Sequence, residues 1–166
     1  MTTILGLNSG EFNSSACILK NGKIIFSVQE ERLNREKFTK KFPTESISEC
    51  LKYAKIDLKK IDFVSIGWNP SMHMSRFNSL LSGQRIFREH NFYTISDNLF
   101  NLTPRDFGNY TFLKHNNKNF PGIYHVNHHC SHAANSFYLS NFNKAAILTC
   151  DFKGENQCTT WGMGFN

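Results

Sequence analysis

Residues 3–28 read TILGLNSGEFNSSACILKNGKIIFSV. Thr3–Asn8 is a short apolar run with turn chemistry behind it, the pattern of a buried strand. A polar loop follows, Asn8-Ser9-Gly10-Glu11-Phe12-Asn13-Ser14-Ser15. Residues 16–20 return as a second strand. Asn21-Gly22 then supplies the pair a type I′ turn needs, because both of its central residues take positive φ. Residues 23–28 pair back as a third strand. The chain thus opens as a three-stranded meander.

Working outward, residues 43–54 (PTESISECLKYA) carry helical spacing, with Ile47, Cys50, Leu51 and Ala54 on one face. Residues 61–68 and 123–126 read as strands. His128–Tyr138 reads as a helix, residues 144–151 (KAAILTCD) as a buried strand ending in a carboxylate, and Thr159–Phe165 as a further strand. Residues 70–120, rich in Phe, Asn, Arg and His, are expected to be a helical or irregular insertion. This order predicts an α/β fold with a mixed sheet. Ending on a strand with no closing helix, residues 1–166 read as a fragment rather than a finished domain.

Apolar residues make up 40% of the chain, enough to build a core and to exclude wholesale disorder. No apolar run approaches the ~20 residues of a membrane span, and no signal peptide is visible, so a cytoplasmic protein without membrane contact is expected. The five cysteines (17, 50, 130, 150 and 158) show no CxxC pair, which argues against a disulfide framework or Cys₄ zinc site. Most are expected to be small apolar core residues. The net charge of +6 raises a nucleic-acid reading. Its densest basic stretch, RLNREKFTKK at 32–41, is short and follows Glu30-Glu31, so a solvated face or a site for one anionic small molecule is favoured over a nucleic-acid groove.

The sharpest chemical signal is NHHCSHA at 127–133. On a helix, His128 and His132 are i and i+4 and can share an ion. Asp151, at the end of the next strand, is the candidate third ligand. Two imidazoles and a carboxylate suit Fe(II) first, with Mn(II) or Zn(II) as alternatives. The plain alternative is a polar helix face. His129 projects elsewhere, either to substrate or to solvent. In the first loop, Ser9, Gly10, Asn13, Ser14 and Ser15 can present hydroxyls and N–H groups to a phosphate, although an ordinary hairpin loop looks similar. Arg32, Arg35 and Lys37 suit anion binding, or a solvated charged connection. Gly154 lies in an acid-Gly turn of the kind that handles phosphate and metal.

Taken together, ILGLN…SSACILKNGKIIFSVQEERLNREKF…FP, NHHCSHAANSFYLSNF and AAILTCD…KGE…TT resemble the N-terminal part of the carbamoyltransferase family, over residues 4–160. The resemblance implies an actin-like ATPase (ribonuclease H-like) half-domain, cut before its second half and a YrdC-like domain. It implies ATP and carbamoyl phosphate as substrates, a carbamoyladenylate intermediate, and a small-molecule acceptor hydroxyl on a sugar or secondary metabolite. By motif, His128, His132 and Asp151 resemble the family's metal ligands, and Lys37 resembles a residue near the transferred group, with Arg32 and Arg35 as neighbours. His129 is the candidate general base.

The chain departs from the family pattern at three places. Phe12-Asn13 stands for His-Asp, Phe38-Thr39 for His-Asp after Lys37, and Phe152 for the Gly after the metal-bearing Asp. Two alternatives stay open: a non-catalytic nucleotide- or metal-binding module, and a metal-dependent hydrolase using the same His-His-Asp set. The missing C-terminal half is an expected partner.

Overall fold

The computed structural model describes residues 1–10, 13–70, 89–102 and 121–166. The opening meander forms as expected: β1 (Thr3–Asn8), β2 (Ser15–Lys20) and β3 (Lys23–Gln29). Asn21 and Gly22 hold φ of 51° and 77°, as the turn requires. A charged segment read from sequence as a connection is instead a short helix, α1 (Glu30–Asn34). It is followed by α2 (Thr44–Ala54), β4 (Phe63–Ile66), a π-turn at His90–Thr94 running into α3 (Ile95–Leu102), β5 (Gly122–His125) and α4 (His128–Tyr138). The chain closes with β6 (Lys144–Cys150) and β7 (Thr159–Phe165). Of the expected insertion at 70–120, residues 89–102 are helical and the remainder lies outside the described residues.

Five strands make a mixed sheet in the order β3-β2-β1-β4-β5. The meander is antiparallel, while β4 runs parallel to both β1 and β5. Register puts one apolar row on one face: Leu5 opposes Ile18 and Val64, and Leu7 opposes Ala16 and Ile66. All six side chains are buried. Ile47 and Cys50 of α2 and Ile95 and Leu99 of α3 join the same core. Each fully buried Leu or Ile contributes roughly 1.5–3 kcal/mol over leaving it in water, which is what drives the helices onto the sheet.

The hairpin β6–β7 forms its own two-stranded sheet. Here the expectation of a buried strand at 144–151 is corrected. Within β6 only Thr149 is buried, and Leu148 is 69% exposed. One hairpin face meets α4, where the missing side chain of Gly164 leaves room for the Phe137 ring. The other face has no covering element among the described residues.

The cysteine expectation also needs correction. Cys50 is buried and Cys17 half-buried, but Cys130, Cys150 and Cys158 are exposed, since they lie on the helix and hairpin rather than under the sheet. Burial pushes the Cys50 thiol up to about 12, so it stays protonated. Among the described residues no helix is long and apolar enough to cross a membrane.

Candidate metal centre

Topology gathers the sequence signals at one edge of the sheet. β1, β3, β4 and β5 all run in the same direction, so their C-terminal ends share that edge. There the chain places the first loop, α1, Gly67-Trp68-Asn69 and the start of α4. In α/β sheets this is where ligands bind.

His128 and His132 project from one face of α4, one turn apart, toward Asp151 at the end of β6. His128 Nε2 lies 2.7 Å from Asp151 Oδ2, and His132 Nε2 lies 3.2 Å from the same oxygen. The two Nε2 atoms are 3.1 Å apart. Ligand atoms held about 2.1 Å from a tetrahedral ion lie about 3.4 Å from one another, so this triangle accepts one after opening by well under an ångström. Orientation fits as well. His128 Nδ1 donates to Gly67 O at 3.0 Å, which aims Nε2 at Asp151 and His132; with no ion bound Nε2 donates to the Asp151 carboxylate, and a cation would take the place of that proton. Lone pairs and a carboxylate that converge on one point are stabilised by a shared cation. Trp68, buried, lies against the His128 ring with centroids 5.2 Å apart. Hydrogen bonding to His128, helped by the Phe152 N–H and by His132, holds the Asp151 carboxyl below the usual carboxylate range. Cys130 is not part of this cluster.

His129 does not behave as either sequence alternative supposed. It is 2% exposed, reaching neither solvent nor the cluster's open side. Its Nε2–H donates to Gln157 O at 2.8 Å, and its Nδ1 accepts from Thr149 Oγ1 at 2.7 Å. Thr149 is in turn 2.6 Å from Thr160 Oγ1. The helix turns this ring inward, and both nitrogens are committed to holding the loop after β6. Gly154 belongs to the same packing. A Cβ there would lie 2.6 Å from His129 Cδ2 and 2.6 Å from Gln157 O, so glycine is needed for close approach rather than for an open cradle.

Two residues escaped the sequence reading. Glu155 is buried, and its carboxylate accepts from the backbone N–H groups of Asn69 and His128 and from Asn127 Nδ2. In sequence it stands only as the acid of KGE, four residues beyond Asp151, with nothing to name its partners. His90 came from the segment with the least readable pattern. Its Nε2 lies 3.0 Å from Ser9 Oγ, and its ring fills the space where a Cβ on Gly10 would go. Gly10 itself has φ of 96°.

The remaining sequence candidates form a second group along the edge. Ser14 is fully buried, and its backbone joins Thr39 O and the Glu30 N–H. Asn13 has φ of 51°, and its carbonyl accepts from Asn8 Nδ2. Phe12 lies outside the described residues. Glu30 turns inward to accept from the N–H groups of Glu45 and Ser46, supplying the N-terminal cap that Pro43 lacks. Arg32 is exposed beside Glu31, and Arg35 and Lys37 are exposed in the turn that follows. No hydrogen bond or ion pair among the described residues joins Arg32 or Lys37 to His128, His132 or Asp151. β3, which leads into Arg32, and β5, which leads into His128, are the two outer strands of the five, roughly 19 Å apart.

Residues 3–164 match the family described as Carbamoyltransferase N-terminus. The uncharacterized protein sll1178 of Synechocystis is 32% identical over 99% of this chain and 28% of its own length. Nodulation protein NolNO of Sinorhizobium fredii is 31% identical over 89% of this chain and 20% of its own length. The chain therefore spans under a third of these relatives. YeaZ from Pseudomonas aeruginosa superposes with a TM-score of 0.48 and 16% identity, over 98% of this chain and 60% of that one. With 162 consecutive positions matched by one family, from Thr3 to Gly164, the chain belongs to the carbamoyltransferase family, in its N-terminal region.

Proposed function

We propose that this chain is the N-terminal catalytic region of an O-carbamoyltransferase, built on one half of an actin-like fold. In this reading the carbamoyl group comes from carbamoyl phosphate through an ATP-derived carbamoyladenylate. In the transfer step the acceptor hydroxyl oxygen bonds to the carbamoyl carbon. The bond from that carbon to AMP breaks, and the hydroxyl proton leaves to a base. The observation that carries the reading is the convergence of His128, His132 and Asp151 at the edge where the parallel strands end. These residues would hold a divalent ion, Fe(II) first, with Mn(II) or Zn(II) as alternatives. Such an ion supplies Lewis-acid stabilisation of phosphate charge.

The chain's own residues divide the remaining work. Gly67 O orients His128, and the loop carrying Ser9, Gly10 and Asn13 lies along the middle of the edge, where it would face the nucleotide, with Ser14 buried beneath it. Arg32 and Lys37 carry exposed positive charge at its far end, suited to a developing anion. The acceptor would be a sugar or secondary-metabolite hydroxyl.

We assign the rest of the site to the C-terminal remainder of a longer protein. Supporting this, Leu148, Trp161, Met163 and Phe165 share one exposed face of the β6–β7 hairpin. A second reading, a non-catalytic nucleotide- or metal-binding module, draws support from His129. Its two ring nitrogens are already bonded within the chain, so it is not free to act as base.

The test supplies ATP, carbamoyl phosphate and candidate hydroxyl acceptors to the longer protein carrying this region. The expected result is AMP in step with carbamoylated acceptor, abolished by His132→Ala. Phosphate release that ignores the acceptor would instead mark a hydrolase. Metal retention with no turnover would favour the binding module.

A further inference from the structure

Glu155 stands four residues beyond Asp151, in the loop that leaves β6. Its side chain is buried, which is costly for a carboxylate unless its oxygens are well bonded. They are. Oε1 accepts from Asn69 N–H and from His128 N–H, both at 2.8 Å, and Oε2 accepts from Asn127 Nδ2 at 3.1 Å. Asn127 cannot exchange its amide ends, because its Oδ1 already accepts from Cys130 N–H as the cap of α4.

Each of these contacts bears on the metal triangle. The His128 N–H belongs to the first ligand. Asn69 lies two residues past Gly67, whose carbonyl orients the His128 ring. Glu155 itself is tethered to Asp151 by three intervening residues. One side chain thus fixes the backbone of one ligand, the strand end that aims it, and the loop that carries another. Its charge also lies at the positive N-terminal end of α4.

We infer that Glu155 is the positioning residue of the metal centre, holding His128 and Asp151 in ligating geometry before an ion arrives. This rests on the metal reading of His128, His132 and Asp151. A glutamine at 155 keeps the shape but offers one acceptor oxygen, so an amide N–H would face at least one of three donors. Outer partners of this kind typically change metal affinity by about 10–100-fold.

Glu30 provides a matched control. It too is a buried carboxylate that caps a helix from a distance, accepting from Glu45 and Ser46 N–H at the start of α2, but it touches no metal-ligand residue. The experiment titrates the full chain with Co(II), following the visible spectrum, for wild type, Glu155→Gln and Glu30→Gln, with thermal unfolding measured beside each. The expected result is about 10–100-fold weaker Co(II) binding and an altered spectrum for Glu155→Gln, with both unchanged in Glu30→Gln at a similar loss of thermal stability. Wild-type affinity and spectrum in Glu155→Gln would overturn the inference while leaving the metal site standing. Equal weakening in both variants would also overturn it, by reducing Glu155 to a fold-stabilising cap. Wild type that takes up no Co(II) would remove the metal reading, and this inference with it.

Discussion

The five-stranded sheet and the β6–β7 hairpin use similar side chains in opposite ways. On the sheet, Leu5, Ile18 and Val64 form a buried row under α2 and α3. On the hairpin, Leu148 opposes Trp161, Ala146 opposes Met163 and Lys144 opposes Phe165, and the large apolar members of that row face outward. On the sheet the chain covers the row that holds Leu5, Ile18 and Val64, while Phe63 and Tyr124 on the opposite face stay exposed. The hairpin is covered on one face only, by α4. Yet the candidate metal centre needs both, since the histidines follow β5 of the sheet and Asp151 ends β6 of the hairpin. The site is a joint between the sheet and the hairpin.

The most forceful way to sharpen this contrast is a pair of truncations. Leu5→Ala should cost about 2–5 kcal/mol in chemical unfolding, through lost transfer energy and a cavity. Leu148→Ala should stay within about 0.5 kcal/mol, as surface changes do. Comparable losses would mean that the hairpin face is covered in solution.

The joint itself is probed next. Gly154→Ala places a methyl group against the His129 ring and Gln157 O. An overpacking cost of about 1–3 kcal/mol is expected, with changes in amide exchange confined to 151–158 and the start of α4. Wild-type stability and exchange there would show that the loop is not anchored through His129.

A gentler effect comes from acid. Burial lowers the proton affinity of His90 and of His125 below the usual histidine value, His125 despite its bond to Trp68 O. For a histidine shifted this way the unfolded chain binds the proton first. Stability is therefore intact above about pH 6.5 and is lost as pH falls through the lower folded values. His90→Gln should flatten that acid limb in thermal melts across pH. An unchanged slope would show that His90 stays solvated beside Ser9.

Much of this architecture was legible because local chemistry and tertiary context agree. Asn21-Gly22 names its turn, and NHHCSHA falls on the helix its spacing demands, with His128 and His132 side by side. Asp151 was found because a strand end is a geometric marker. Other features were hidden for physical reasons. An apolar run such as KAAILTCD reads as a buried strand whether it is covered or bare. His129 looked available because helical spacing says which way a ring projects and not what meets it. Glu30 and Glu155 act over sequence separations of 16 and up to 86 residues, which no local pattern records. His90 reaches Ser9 across 81 residues for the same reason.

The central claim is that sheet and hairpin jointly build a metal site. The measurement that tests it most directly is the metal content of the purified chain, wild type beside His132→Ala and Asp151→Asn. The account predicts near-stoichiometric iron, manganese or zinc in wild type and loss from both variants, one altered on the helix and one on the hairpin. Equal trace metal in all three would contradict it, and would leave the His128–His132–Asp151 cluster as a hydrogen-bonded contact between two layers.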